Sequence, residues 1–514
     1  MQESSGNAAI YFVDRHIGEG RGDKTAFREA DGGKRSLSYG QLAEETGRFA
    51  GALDRHGVRR EERVAMIVRD QIEFPVVFWG SLKAGAIPVP LNTLLSSDIY
   101  EAILNDSRAS ILVVSEELWD VVAPAVADNR YLRAILVIGD APEGTESYMD
   151  FVDGAAPMQA VEAHEDELAF WLYSSGSTGL PKGVRHVHAS LKATADTFGQ
   201  QVLGIRENDT VYSVAKLFFA YGLGNGMSFP MSVGATTVLF GGRPTPDAVF
   251  DIMKTERPTV FCGVPTLYAA VVAAQEAAGG EPEHCIRICT SAGEALPRDI
   301  GERWEKLWGA EIIDGVGSTE MLHIFLSNRP GDIVYGTSGL AVPGYEVRLV
   351  DEHDEDIEEG GVGELLVRGP SSADGYWNRR HKSQSTFAGH WTRTGDKYER
   401  TPEGRYVYCG RTDDMFKVSG IWVSPFEVEQ ALVEHPAVLE AAVVARADEK
   451  GLDKPAAYIV LKDGADPAVA GELKDLVKEK IGMWKYPRWI EVVEELPKTA
   501  TGKIQRYKLR ETAH

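Results

Sequence analysis

Cysteine is scarce in this chain: four residues in 514, at positions 262, 285, 289 and 409, with no C-x-x-C pair. That excludes a small domain held together by disulfides. The closest pair falls in HCIRICTSAG beside His284. This run reads as a strand, along which four residues span about 13 Å, too far for two cysteines to share one metal. Positive charge is short as well, with 54 Lys and Arg against 77 Asp and Glu and a formal net charge of −23. A duplex nucleic-acid binder needs a cationic face to displace counterions, so nucleic acid is not an expected partner. No basic leader with an apolar core opens the chain, and no run approaches the ~20 apolar residues of a membrane span. A cytoplasmic protein with no membrane partner is the expectation.

Two catalytic signatures are missing too. No G-K-[S/T] ends the glycine-rich loop GSTGLPKG, so it is not a Walker loop. G-x-S-x-G occurs nowhere, which excludes the serine-hydrolase elbow.

What is present is a chain long enough for two or more domains, with 43% hydrophobic residues. From residue 37 the pattern alternates. LSYGQLAEETGRFAGALDRHG sets Ser38 as N-cap with Gln41 three residues on, places Leu42, Phe49, Ala50 and Leu53 on one face, and stops at Gly57. Short apolar runs follow, separated by helical or polar sequence: RVAMIV, AIPVPLN, ILVVS, AILVIGD, VYSVA, ATTVLF, PTVFCG and EIIDG. Such spacing predicts mainly parallel sheets covered on both faces. Near residue 336 hairpin-like strands around acidic turns take over, and a new α/β pattern begins at Ile421. In GELKDLVKEKIG, Leu473, Leu476, Val477 and Ile481 share a helical face. The fold class expected is α/β: a large N-terminal domain over 1–412 with mainly parallel sheets and a β-rich subdomain at about 336–410, then a small mobile α+β domain over 413–514.

The stretch WLYSSGSTGLPKGVRHVH, from Trp171 to His188, carries the chemistry. A strand feeding a loop of glycines, hydroxyls and one lysine is built to approach phosphate: no Cβ obstructs, N–H and O–H groups donate, and the ammonium neutralises charge. Four further motifs follow in order: GVGSTE at 315–320, RTGD at 393–396, GRTDDMFKVSG at 410–420 and PKTATGK at 497–503. With YSSGSTGLPKGV they resemble the core motifs of adenylate-forming enzymes, the superfamily of acyl-coenzyme A synthetases, peptide-synthetase adenylation domains and luciferases. KLFFAYGLGN at 216–225 and GVGSTEMLHIFLSN at 315–328 resemble more narrowly the benzoate–coenzyme A ligases.

That resemblance implies a two-step reaction. A carboxylate attacks the α-phosphorus of ATP with Mg2+, giving an acyl-adenylate and pyrophosphate, and the thiol of coenzyme A then displaces AMP. Ser174, Ser175, Gly176, Ser177, Thr178, Gly179 and Lys182 would hold the β- and γ-phosphates. Thr319 would serve the α-phosphate and Glu320 the magnesium, a hard cation suited to a carboxylate. Gly293, Glu294, Ala295, Asp314, Gly315, Val316, Gly317 and Ser318 would line the adenosine, with Asp396 on the ribose hydroxyls and Arg411 beside it. Ala220, Tyr221, Ala292, Gly317, His323 and Ile324 would surround an aryl group. Gly420 would line the pantetheine route, Asp413 would be the hinge between domains, and Lys503 and Lys417 would serve the first and second half-reactions. Val316 departs from the family, many members of which carry an adenine-stacking aromatic there.

The implied activity is ligation of a small aryl acid, benzoate above all, to coenzyme A in aromatic acid degradation. Alternatives are a ligase for 4-hydroxy- or 2-aminobenzoate and a freestanding enzyme that loads an aryl acid onto a carrier protein. The chain ends eleven residues after Lys503 with no carrier domain attached. A homodimer is compatible with the sequence, which carries no signature of oligomeric state.

Overall fold

The computed structural model describes residues 5–174, 181–357, 360–418, 421–449, 452–462, 464–498 and 504–512. The chain forms two compact units, Met1–Val347 with Val367–Thr392, and Arg348–Leu366 with Arg393–His514.

In the first unit the apolar runs become strands of two parallel sheets. The larger has the order Leu340–Ala341, Ile324–Ser327, Ile312–Gly317, Ile288–Ser291, Val260–Gly263, Thr210–Ser213, Thr236–Leu239, Thr25–Glu29, Ser36–Ser38. Its inner strands, from Ile312–Gly317 through Thr25–Glu29, are parallel, and antiparallel strands finish both edges. Val260–Gly263 and Ile288–Ser291 are buried at every position, as a sheet covered on both faces demands. Phe261, Tyr268, Trp304 and Trp308 pack there into one aromatic stack, with the two tryptophan rings 4.0 Å apart. The second sheet, Ile87–Pro90, Arg63–Ile67, Ile111–Ser115, Ala134–Ile138 and Glu146–Ser147, is parallel throughout.

The helix Tyr39–Arg55 starts as its sequence requires. Gln41 N donates to Ser38 Oγ at 3.2 Å and Ser38 N donates to Gln41 Oε1 at 2.8 Å, a reciprocal capping box. Leu42, Phe49, Ala50 and Leu53 are all fully buried. One strand is shorter than its sequence suggests: Cys289 lies on Ile288–Ser291, while Cys285 precedes it. The charged Glu281 and Glu283, with Pro282 between them, cannot sit in a sheet buried on both faces.

A third sheet of the first unit is antiparallel, in the order Gly375–Tyr376, Lys182–Val187, Leu168–Ser174. Ser174 pairs with Lys182, so the glycine-rich segment joins two neighbouring strands.

The second unit contains the acidic hairpins, with most of the strands Val362–Arg368 and Trp391–Arg400, all of Tyr406–Arg411, and a C-terminal α+β portion. There Val438–Ala447 and Asp453–Leu461 pair antiparallel, and Trp489–Val492 runs parallel to the latter. Leu473 and Val477 of the helix Ala470–Ile481 are fully buried in its core, with Ile481 packed against it. Among the described residues, no helix is long and apolar enough to cross a membrane.

Candidate functional site

Two parallel strands of the large sheet end side by side at Gly263 and Ser291, next to Asp314 of a third that runs on to Gly317. The carboxyl ends of parallel strands are where α/β proteins place their ligands. The chain leaves the last of these strands, turns through residues 318–323 and returns as Ile324–Ser327. Ser318 Oγ accepts from Met321 N at 3.2 Å, which starts the turn. Leu322, buried, takes a left-handed φ of 64° to finish it. A bulky residue there costs about 1–3 kcal/mol, the kind of strain that persists where surrounding contacts enforce it. Gly317 is required by close approach, because a Cβ would lie 2.5 Å from His323 O.

The turn sends Glu320 one way and His323 the other. On the first side Lys182 Nζ donates to Glu320 Oε1 at 3.0 Å and to the Tyr376 hydroxyl at 2.8 Å. Tyr376 in turn donates to Glu320 Oε1 at 2.8 Å. Burial pushes the Glu320 carboxyl up, but the Lys182 ammonium and Tyr376 hydroxyl overcome it and hold the group below the usual carboxylate range. His186, on the same strand and face as Lys182, shares a hydrogen with Thr319 O at 2.8 Å. Burial drops its pKa to about 4, so the ring is neutral at pH 7 and Nε2 is the donor. Ala373 N donates to Glu320 O at 2.8 Å and Ser371 Oγ to Met321 O at 2.7 Å. Glu320 and Thr319 offer hard oxygens of the type magnesium prefers, next to a cation suited to phosphate, so the residues present fit that metal.

On the other side lies an aromatic group. The His323 ring is 5.5 Å from that of Tyr221, 5.0 Å from Phe198 and 4.5 Å from Phe229. His323 Nε2 lies 3.3 Å from Tyr221 O. Burial lowers the His323 pKa to about 3, so the ring is neutral; a carbonyl can only accept, hence Nε2 carries the hydrogen and Nδ1 is a bare acceptor. Nδ1 is buried with no hydrogen-bond partner. Gly224 is the floor beneath this ring, since a Cβ there would fall 2.5 Å from His323 Cδ2. The Tyr221 hydroxyl is spent on the carbonyls of Thr290 at 2.9 Å and Gly263 at 3.1 Å, at the strand ends. Tyr221 therefore offers a flat ring and no free donor. Ala220 and Tyr221 are half-buried, and Ala292 and Ile324 are buried.

Asp314 pairs with Ser291 in the sheet register. Burial raises its carboxyl to about 8, and Oδ1 has no partner. A protonated carboxyl can both donate and accept. Gly315 is buried, Val316 to Ser318 are half-buried, Gly293 and Glu294 are exposed and Ala295 is half-buried.

In the second unit Asp396 and Arg411 face each other across the hairpin, with Arg411 Nη1 donating to Asp396 Oδ1 at 2.8 Å. Asp413 is exposed and its carbonyl accepts from Arg510 at 3.2 Å. The neighbouring Asp414 carboxylate is held by Arg506 at 3.4 Å and Arg510 at 3.2 Å. Lys417 lies on the strand Phe416–Val418, with its side chain outside the described set. Ser174 ends the strand Leu168–Ser174. Ser175, Gly176, Ser177, Thr178, Gly179, Gly420 and Lys503 lie outside the described residues.

Two residues of the Glu320 cluster escaped the sequence. His186 had a readable signal: Lys182, Val184 and His186 alternate along a strand and so share a face. Tyr376 had none, because its strand meets Lys182–Val187 only through pairing across nearly two hundred residues.

The family described as AMP-binding enzyme matches residues 14–377, and the family described as AMP-binding enzyme C-terminal domain matches 427–503. A 4-hydroxybenzoate–CoA/benzoate–CoA ligase of Rhodopseudomonas palustris is 51% identical over 98% of this chain and 94% of its own. A benzoate–CoA ligase of Thauera aromatica is 52% identical over 98% of this chain and 95% of its own. The crystal structure of a benzoate CoA ligase from Burkholderia xenovorans LB400 superposes with a TM-score of 0.90, at 49% identity over 98% of this chain and 99% of that one. Matched along most of its length, this chain belongs to the AMP-binding enzyme family.

Proposed function

We propose that the protein is a benzoate–coenzyme A ligase that works through a benzoyl-adenylate. The observation that carries the reading is the turn 318–323, which sets a charged, oxygen-rich pair against the Lys182 ammonium and, within four residues, a ring-walled apolar group. A carboxylate substrate needs both, one for its reacting end and one for its ring.

In the first step a benzoate oxygen bonds to the α-phosphorus of ATP, the bond from that phosphorus to the bridging oxygen breaks, and pyrophosphate leaves. Magnesium held by Glu320 would supply charge neutralisation on the phosphates. Lys182, with Ser174 and the loop residues Ser175 to Gly179, takes the β- and γ-phosphates, while Thr319 serves the α-phosphate. Lys503 bridges carboxylate and phosphate as charge gathers between them, and such preorganised charge is the largest catalytic contribution available here. In the second step the coenzyme A sulfur bonds to the acyl carbon, the acyl–oxygen bond breaks, AMP leaves and the thiol proton passes to solvent. Lys417 and Gly420 serve this step once the chain has turned at Asp413, which makes 412/413 the working domain boundary. The neutral Asp314 carboxyl suits the donor–acceptor edge of adenine, Gly293 to Ala295 and Gly315 to Ser318 line the adenosine, and Asp396, oriented by Arg411, takes the ribose hydroxyls. The enzyme acts in the cytoplasm, on a small aryl acid.

Benzoate fits because the Tyr221 and His323 rings are flat, Ala220 is small, and His323 is wedged by Phe198, Phe229 and Gly224. Flat walls and a small side chain suit a ring better than a long alkyl chain. A second reading, acceptance of hydroxy- or aminobenzoates, is favoured by the bare Nδ1 of His323: a buried acceptor without a partner is matched by a ring O–H or N–H. AMP release measured with a panel of aryl and alkyl acids, with and without coenzyme A, tests both. Benzoate should give AMP in stoichiometric excess only when coenzyme A is present. Turnover of octanoate above benzoate would overturn the aryl assignment.

A further inference from the structure

Glu320 is held by two groups of different kinds. Lys182 reaches it on a flexible four-carbon stem, and the same ammonium is assigned above to the phosphates of ATP, which compete with the carboxylate for it when nucleotide binds. Tyr376 cannot leave. It is 4% exposed, and its strand pairs with Lys182–Val187 at Val184. Its amide donates to Ser383 Oγ at 3.0 Å, and its ring centroid lies 5.3 Å from that of Phe387. From the same segment Ala373 N holds the Glu320 carbonyl. Backbone and side chain of Glu320 are thus anchored by one rigid strand end.

We infer that Tyr376 is a positioning residue for the metal-binding carboxylate: its hydroxyl keeps Oε1 of Glu320 in place when Lys182 transfers to the phosphates, so that the carboxylate presents its other oxygen to magnesium. The inference rests on the assignment of Glu320 to the metal. Both hydrogen bonds to the carboxylate side chain fall on Oε1, which is the arrangement this division of labour requires. With Lys182 withdrawn and no hydroxyl at 376, the carboxylate would regain side-chain freedom that metal binding must then remove. Partners that orient a ligating carboxylate in this way typically account for about 10–100-fold in metal affinity or activity.

The test is Tyr376→Phe, which keeps the ring and removes the hydroxyl, with Glu320→Gln as its companion. Mn2+ binding is read by electron paramagnetic resonance in the presence of α,β-methylene-ATP, which cannot be cleaved at the reacting bond, and the Mg2+ dependence of adenylation is titrated alongside. Tyr376→Phe should fold with a near wild-type thermal midpoint, bind Mn2+ at least ~10-fold more weakly and recover most adenylation at saturating Mg2+. Unchanged Mn2+ affinity in Tyr376→Phe, with affinity lost in Glu320→Gln, would overturn the role of Tyr376 and leave that of Glu320 standing. Unchanged Mn2+ affinity in Glu320→Gln would overturn the metal assignment itself. A Tyr376→Phe protein whose adenylation falls equally at every Mg2+ concentration would also overturn the inference, since a merely structural residue behaves that way.

Discussion

The two sides of the turn 318–323 are finished differently. Around Glu320 the polar atoms answer one another: ammonium to phenol, phenol to carboxylate, and neutral imidazole to the Thr319 carbonyl. Around His323 the polar atoms are turned away from the ring face or left bare. The Tyr221 hydroxyl points to strand carbonyls, and His323 Nδ1 has no partner. A site for charged phosphates must keep its own charges satisfied until the ligand arrives, because an unpaired buried charge costs several kcal/mol. A site for an arene can leave its walls dry. On the function proposed above, the difference would also separate what each side controls, rate on one and choice of acid on the other.

Acid should break both sides at once. Burial lowers four histidines, to about 4 for His16, His186 and His188 and to about 3 for His323. Unfolded, each titrates near ~6.5. As the pH falls below that value the unfolded chain takes up protons first, so stability drops from about pH 6.5 to about pH 4 and is level above, each histidine costing up to ~1.4 kcal/mol per pH unit. The paired Glu320, whose pKa is depressed, begins to lose its contribution at lower pH than the histidines, as the pH falls through the usual carboxylate range, and the loss is complete only below its own lowered pKa. Thermal midpoints recorded across this window should fall steeply in the wild type and less steeply in His16→Gln. A flat profile from pH 6.5 to 5 would mean these rings are not held neutral.

Next in size is Glu320→Gln. Loss of the charged ligand should cut benzoyl-adenylate formation by more than the ~10–100-fold that loss of an orienting partner costs, while the KM for benzoate stays close to wild type. A comparable rise in that KM would show that the two sides are coupled.

How far this contrast could be read beforehand differs between fold and site. The parallel strands were legible because each is a short apolar run closed by turn residues, and the Tyr39–Arg55 helix because its cap and face are written in adjacent residues. The residue types of the site were legible as ordered motifs. Three things were not. The strand through Cys285 failed because local β character says nothing about where a polar neighbour stops a buried sheet. Tyr376 failed because its place beside Glu320 depends on strand pairing between Gly375–Tyr376 and Lys182–Val187. The spent hydroxyl of Tyr221 belongs to the same class, since it depends on two strand ends that meet only in the folded sheet.

Gly224→Ala should disturb only the arene side. The added Cβ would meet His323 Cδ2 at 2.5 Å and Phe229 Cζ at 2.8 Å, and the buried imidazole has no room to retreat. Overpacking of this kind costs about 1–3 kcal/mol, so kcat/KM for benzoate should fall about 5- to 150-fold, carried by KM. Affinity for α,β-methylene-ATP, measured calorimetrically, should not change. Wild-type benzoate kinetics in Gly224→Ala would place the ring elsewhere.

The smallest effect expected is also the most specific to one atom. His323→Leu keeps an apolar side chain of similar breadth against Phe198 and Phe229 but removes the Nδ1 acceptor. Benzoate has no donor on its ring and gains nothing from that acceptor, whereas a hydroxybenzoate correctly seated against it gains one net hydrogen bond, about 0.5–1.5 kcal/mol. Among 2-, 3- and 4-hydroxybenzoate, the isomer the wild type uses best should therefore lose about fivefold in kcat/KM relative to benzoate in His323→Leu, and the other two should lose less. Equal changes for all four acids would mean that Nδ1 faces no substituent, and that the bare nitrogen is a cost of packing a histidine beside Gly224 with no part in choosing the acid.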